Sequence, residues 1–405
     1  MGSEKMKVRS YRWQQQKKKL AFTTIIYYGG EGRVFNFSNS RSDAYEFKGD
    51  VRIDSSTTTI FIASTNHHPI NIPHTIKPHP RKFDADAMNT ITAFQIKAAP
   101  PEHLPDCTQT LDAPAILFST GGHAGNHFHR FTDVLIPLFA TSLRFNRDVV
   151  FLVTNHDSRI TSQHRKTLEI LSRYELVDVD RENQTLCFTN MIVGLIAHEH
   201  DLSIDPSPFS TFSTRNFTRL LRSVYSLERD SVGDHYRPRM LVIPRTRNRR
   251  LTNEVEVVEL ARRLGFDPLV HKMDHHLESA AKIINTFDVM VGVHGAALTN
   301  MLFLPENAVV IQITPVGLHN FARTCFGRAP EEMKLKYLEY KVRLNESSLF
   351  GKYPDHSLIY TNPVQYCHKR GFQVCKNVYI DNQDVNLDLP RFRHTLLKAL
   401  DLLNA

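Results

Sequence analysis

Residues 288–315 constrain the fold more than any other part of the chain. A branched apolar run ends at Val293, and the small residues Gly292, Gly295, Ala296 and Ala297 cluster around His294. A second apolar run reaches Pro305, and a third begins at Val309. These periods and breakers spell strand, tight turn, helix, strand. In an open parallel sheet such a turn lies at the carboxyl end of a strand, where ligands bind. Residues without bulk let a ligand reach the first-turn N–H groups, whose dipole favours an anion. A phosphate-bearing ligand is therefore expected. The glycines alone would equally serve close packing of a helix on its strand. His294 favours the ligand, because an imidazole flanked by glycines is poorly placed to fill a core and well placed to reach a bound group.

A chain of 405 residues has room for roughly two to three domains. The net charge of +8 raises the question of nucleic acid. However, the basic residues are dispersed apart from 17–19 and 245–250, and no nucleic-acid module accompanies them. An anionic small substrate accounts for the second cluster, and nucleic acid is set aside. Residues 1–33 are basic and Gln-rich and are expected to be poorly ordered. Residues 34–114 form a β-rich N-terminal appendage. Alternating α/β character fills 115–235 and again 236–385, and a C-terminal helix occupies 386–405. Two facing Rossmann-like domains follow, with a helix over 126–143 interrupted at Pro137, a strand over 174–179, and a helix over 253–264 capped by Gly265.

Five cysteines leave at least one thiol outside any internal pairing and allow at most two disulfides. Four N-x-S/T sequons, at Asn36, Asn183, Asn216 and Asn345, point to a secreted or luminal protein. No stretch reaches the ~18 apolar residues of a membrane span. The nearest, 20–28, follows three lysines but is too short.

Three ordered blocks carry a resemblance. GGHAGNHFHRFTDVLIPL at 121–138, PRTRNRRLTNE at 244–254 and VGVHGAALTNMLFLP at 291–305 resemble the motif blocks of plant glycosyltransferase family 61. The likeness extends over roughly 35–403. It implies a Golgi type II membrane protein with a two-domain GT-B fold, a nucleotide-sugar donor, inversion at the anomeric carbon and no required metal. Plant members include xylan arabinosyl- and xylosyltransferases and the N-glycan core β-1,2-xylosyltransferase. Two positions depart from the family. Phe35 and Tyr45 stand where members commonly carry cysteines, and Arg130 stands where an acidic residue often follows the motif histidine.

Departure of a nucleoside diphosphate needs cations and backbone N–H groups around it. Arg245 and Arg247 offer bidentate phosphate contacts, and Gly292, His294, Gly295, Ala296 and Asn300 complete the expected donor site. Arg249 and Arg250 read more simply as a solvated charge run. The acceptor hydroxyl needs a base. His129 and Asp133, four residues apart on the expected helix, would share a face as base and orienter, or would form only a hydrogen-bond network that positions the sugar. Gly122, Asn126 and Arg130 lie on the same acceptor side. Asp178 and Asp180 form a D-x-D that reads as a strand end, and His67, His68, His275 and His276 lack a third ligand.

The resulting reading is a metal-independent transferase moving xylose or arabinofuranose from a UDP-sugar onto xylan or a related glycan, with no cofactor. Its partners would be the nucleotide sugar, the glycan acceptor and other Golgi glycosyltransferases. The alternatives are an N-glycan core xylosyltransferase-like enzyme and a non-catalytic glycan-binding scaffold. The intact His294, Asn300, Arg245, His129 and Asp133 favour the enzyme.

Overall fold

The computed structural model describes residues 24–27, 33–64, 72–205, 212–233, 237–273 and 276–404. Most of the segment 1–33, together with His67, His68 and His275, lies outside the described residues. The chain forms two compact units, one of Met1–Gly125 with Thr132–Glu199 and one of Asn126–Phe131 with His200–Ala405.

The first unit is built on one mixed sheet. Its strands are β1 (Thr24–Tyr27), β2 (Arg33–Asn36), β3 (Tyr45–Asp54), β4 (Thr59–Ala63), β5 (Thr75–Ile76), β6 (Phe94–Ala99), β7 (Gln109–Leu111), β8 (Ala115–Ser119), β9 (Val150–Thr154), β10 (Val177–Asp178) and β11 (Thr185–Val193). The order is β10-β9-β8-β11-β3-β4-β6-β5, with β2 beside β3 and β7 beside β11. β10, β9, β8 and β11 run parallel, and β11 then pairs antiparallel with β3. The β-rich segment 34–114 thus continues the α/β sheet, because the apolar face of β3 and β4 (Val51, Ile53, Ile60, Ile62) shares one buried core with Leu117, Leu152 and Val193.

Phe35 and Tyr45 lie on adjacent antiparallel strands, Phe35 opposite Glu46 and Asn36 opposite Tyr45. Aromatic contacts occupy the place: Lys48 Nζ sits 5.1 Å from the Phe35 ring centre and Tyr45 stacks on Phe47. The cation–π pair crosses from β3 to β2 and the aromatic pair lies along β3, on one side of the strand; contacts of both kinds stabilise a sheet locally.

The second unit holds five strands, β12 (Arg239–Ile243), β13 (Asp267–Val270), β14 (Val289–Val293), β15 (Val309–Thr314) and β16 (Lys336–Lys341), all parallel in the order β13-β12-β14-β15-β16. β14 and β15 are buried along their whole length, as central strands covered on both faces must be. The helix Leu389–Leu403 buries Phe392, Leu396 and Ala399, at helical spacing, in this core. Helix Glu254–Arg263 ends as its sequence predicts. Gly265, at φ 100°, follows the C-cap Leu264, and Phe266 N–H donates to Ala261 O.

Three local expectations are corrected. The run after Gly295 is a 3₁₀ helix, Ala296–Phe303, rather than an α-helix; residues 298–303 are all buried, so no polar face sets an α period. The helix at 126–143 is not broken at Pro137. It is α at His127–His129, widens to a π-helix at Arg130–Leu135 and resumes as α at Ile136–Ser142, with Pro137 at the change of pitch, where the widened turn accommodates its missing N–H. The strand expected over 174–179 shrinks to Val177–Asp178. No helix among the described residues is long and apolar enough to cross a membrane.

Two disulfides form, Cys107–Cys187 and Cys367–Cys375, and Cys325 lies buried outside both. Cys107–Cys187 joins residues 80 apart in sequence. Replacing both with serine is expected to cost about 2–4 kcal/mol of stability, read as a lower urea midpoint; an unchanged midpoint would contradict the linkage.

Candidate anion site and acceptor-side residues

Beyond β12 the chain turns at Pro244, and two arginines of the basic cluster turn inward. Arg245 is half-buried; its Nε and Nη2 donate to the carbonyl and side-chain oxygens of Asn248 at 2.8 and 2.9 Å. That grip leaves Nη1 against Gly295, where an added Cβ would lie 2.3 Å from it. Arg249 is buried with φ 53°, and its Nε has no hydrogen-bond partner. Among the described residues neither guanidinium makes an ion pair. Burial lowers the pKa of Arg245, and burial with Arg245 alongside brings Arg249 down to about 10, against the attraction of Asp381. Buried cations left unpaired in the protein are costly, and an anionic ligand would relieve that cost. Arg247 is exposed, and Arg250 is exposed in a pair with Asp384 at 2.6 Å. The basic cluster therefore divides differently from the sequence expectation: Arg249 faces inward and Arg247 outward.

His294 follows β14 and is 3% exposed. Phe321 and Phe326 meet its ring edge-on at 5.4 and 5.6 Å, and its Nδ1 lies 2.8 Å from Gln312 Nε2. Burial first, then Arg249 and Arg245, lower its pKa to about 3, so the ring is neutral near pH 7. In chain order the sheet runs 2-1-3-4-5, and its connections reverse between β12 and β14. This switch point is where ligands of doubly wound sheets bind, and Arg245, Arg249 and His294 gather at it.

Other expected donor-site residues have structural work. A Cβ on Gly292 would meet Leu298 Cδ2 at 3.0 Å, so this glycine lets the 3₁₀ helix pack on its strand. Ala296 begins that helix. Asn300 is buried, donates to Ala297 O at 3.0 Å and faces His127 Nε2 at 3.0 Å. His127 carries no sequence signal for this partnership; burial, with Arg130 nearby, lowers its pKa to about 4.

On the acceptor side, Asn126 caps the helix through Phe128 N–H, and His129 is half-buried with its ring 5.3 Å from Phe128. Arg130 opens the π-helical stretch. Asp133 is fully buried; it accepts from Arg81 Nε at 2.6 Å and lies 3.5 Å from Arg41 Nη2. Gly122, at φ 61°, presses on buried His79, whose Nε2 a Cβ there would meet at 2.8 Å. Asp178 bonds His156 at 2.7 Å, and Asp180 accepts from Thr154 and Asn155, so both carboxylates of the D-x-D serve the strand end. Asn183 and Asn345 are exposed, Asn216 caps a helix through Ser213, and Asn36 lies in β2.

A parallel α/β sheet with two arginines at its switch point that make no ion pair among the described residues defines an α/β protein suited to an anionic ligand. The glycosyltransferase 61 family model matches residues 127–311. The chain is 39% identical to the alpha-1,3-arabinosyltransferase XAT3 of Oryza sativa subsp. japonica, over 93% of this chain and 66% of that protein. It is 36% identical to the beta-1,2-xylosyltransferase XYXT1 of the same organism, over 91% and 84%. With the xylan glycosyltransferase MUCI21 of Arabidopsis thaliana it shares 35% identity over 89% and 77%. The chain spans just under two thirds of XAT3 and 64% of its relative XAT2. Among solved structures, the iron-containing glycosyltransferase TibC from E. coli overlaps 78% of this chain and 81% of its own at TM-score 0.29 and 11% identity, too loosely to carry an argument. The chain belongs to glycosyltransferase family 61.

Asp133→Ala would leave two buried guanidinium groups without their shared carboxylate, at a cost of about 3–5 kcal/mol. Its main effect should be a lower melting temperature, and a variant that melts like the wild type would show the ion pair to be dispensable. His294 and His127 also set a pH dependence. Their folded pKa values, about 3 and about 4, lie below the ordinary ~6.5 of the unfolded chain. Between those limits the unfolded state binds more protons, so stability falls as pH drops below about 6.5. Urea midpoints at pH 7 and pH 5 should show this, with a shallower slope in His294→Gln; an equal slope would mean that the wild-type ring titrates freely.

Proposed function

We propose that this protein is an inverting, metal-independent glycosyltransferase of GT-B architecture that moves xylose or arabinofuranose from a UDP-sugar onto xylan or a related cell-wall glycan in the Golgi lumen. The observation that carries the reading is the half-buried Arg245 and the buried Arg249, neither in an ion pair among the described residues, beside His294 at the switch point of the second unit. The names of the relatives, arabinosyl- and xylosyltransferases, support the pentose. Two disulfides suit an oxidising lumen.

In the proposed reaction an acceptor hydroxyl attacks the anomeric carbon from the face opposite the diphosphate. The carbon–oxygen bond to the phosphate breaks, and UDP leaves carrying the bonding electrons. Arg245 and Arg249 stabilise the charge that develops there, the role a divalent cation plays elsewhere. His129 takes the hydroxyl proton.

Calorimetry with UDP and transfer assays on one set of variants test the assignment. Arg245→Ala and Arg249→Ala should each weaken UDP binding by about 1.5–3 kcal/mol and slow transfer by about 2–4 kcal/mol in transition-state stabilisation. Arg247→Ala should do little, and EDTA should leave UDP affinity unchanged. His129→Ala should retain UDP affinity and lose turnover. Binding that required added divalent metal, or that depended on Arg247 rather than Arg249, would overturn the site as drawn.

A further inference from the structure

Gln312 is out of place by composition. It is the one amide in the central strand β15, where every residue is buried, and is itself 0% exposed. A buried amide in an apolar strand is tolerated only when its polar atoms are bonded. Here both ends are engaged: Oε1 accepts from the Tyr337 hydroxyl on β16 at 2.8 Å, and Nε2 faces His294 Nδ1 at 2.8 Å. One residue from each of three consecutive strand segments thus forms a chain from the sheet edge to the switch point.

Proton count favours one direction for that chain. Among the described residues Gln312 is the one hydrogen-bond partner of the Tyr337 hydroxyl, and a phenol proton needs an acceptor. With the amide reversed, Nε2 would face the phenol, and the proton of the half-buried Tyr337 would lose its protein acceptor among the described residues and be left to solvent. The oxygen therefore faces Tyr337 and the N–H faces His294. His294 Nδ1 must then accept, and the neutral ring carries its proton on Nε2.

We infer that Gln312 and Tyr337 are positioning residues that lock His294 in its Nε2-protonated form, so that the ring serves the donor diphosphate as a fixed N–H donor and not as a base. The role toward the diphosphate rests on the donor-site reading given above; the lock does not. Such orientation of a histidine by a partner on its far nitrogen is how protein sites commonly select a tautomer. A neutral N–H donor adds a directed bond beside two guanidinium groups without adding a third repelling charge.

The lock can be read without turnover. Long-range proton–nitrogen NMR on histidine-labelled protein, with His294 assigned from the His294→Gln variant, should show Nε2 protonated and Nδ1 bare. Tyr337→Phe, which meets His294 through Gln312, should release the amide, populate the Nδ1-protonated form and weaken UDP binding by about 2- to 10-fold, the loss of one directed hydrogen bond. A merely structural tyrosine would alter melting and leave the tautomer alone. Nδ1 protonation in the wild type, or an unchanged tautomer in a folded Tyr337→Phe variant, overturns the lock. An Nε2-protonated His294 in a protein with no affinity for UDP supports the lock and overturns only the donor-site reading.

Discussion

The second unit is organised around charge that the protein does not neutralise for itself. Arg245 and Arg249 lose solvent, repel one another and, among the described residues, meet no carboxylate within bonding distance, although carboxylates are close by: Asp384 is bound by Arg250, and Asp381 by Lys376. The sheet makes this tolerable. Its parallel strands bury β14 and β15 completely and hold the connections after β12 and β14 at one edge, where Asn248 grips one arginine and Gly295 gives it room. Stability lost to desolvated cations is offset by a continuous apolar core from Met240 to Ala399.

Much of this was legible in the chain. The branched apolar runs and the small-residue turn marked the strand, turn, helix and strand of residues 288–315, and the three motif blocks marked the family. What escaped was set by backbone detail. Arg249 is buried on a backbone at φ 53°, and no sequence pattern announces a left-handed arginine. His127 meets Asn300 across 173 residues of chain, beyond the reach of local periodicity. Gln312 did carry a readable signal, a single amide in a strand otherwise fit for full burial, whose partners required the register of three strands to be known. The 3₁₀ character of Ala296–Phe303 and the π-helical stretch at Arg130–Leu135 were not legible either, since apolar spacing distinguishes poorly between helices of different pitch.

Asp133 shows how motif position and physical role can separate. Its spacing from His129 suggested a pair on one helical face. Its carboxylate is instead held by Arg81 and Arg41, from segments that precede it by 52 and 92 residues. A residue of this kind connects the helix to the sheet that carries it, so a change there reaches function through folding before it reaches chemistry.

The second unit is assembled from two separate lengths of chain. Six residues, Asn126–Phe131, belong with His200–Ala405, and they are not decoration. Phe128 packs on Phe326, Phe131 on Phe217 and Phe303, and His127 on Asn300. A fragment cut at the obvious boundary near residue 200 would leave these aromatic faces bare and Asn300 without its histidine, with the adhesive surface that exposed apolar patches create in solution. Recombination between family members faces the same constraint: a swap of the C-terminal half carries its sheet but not the short peg that finishes it, so the 126–131 segment must travel with the half it does not adjoin in sequence.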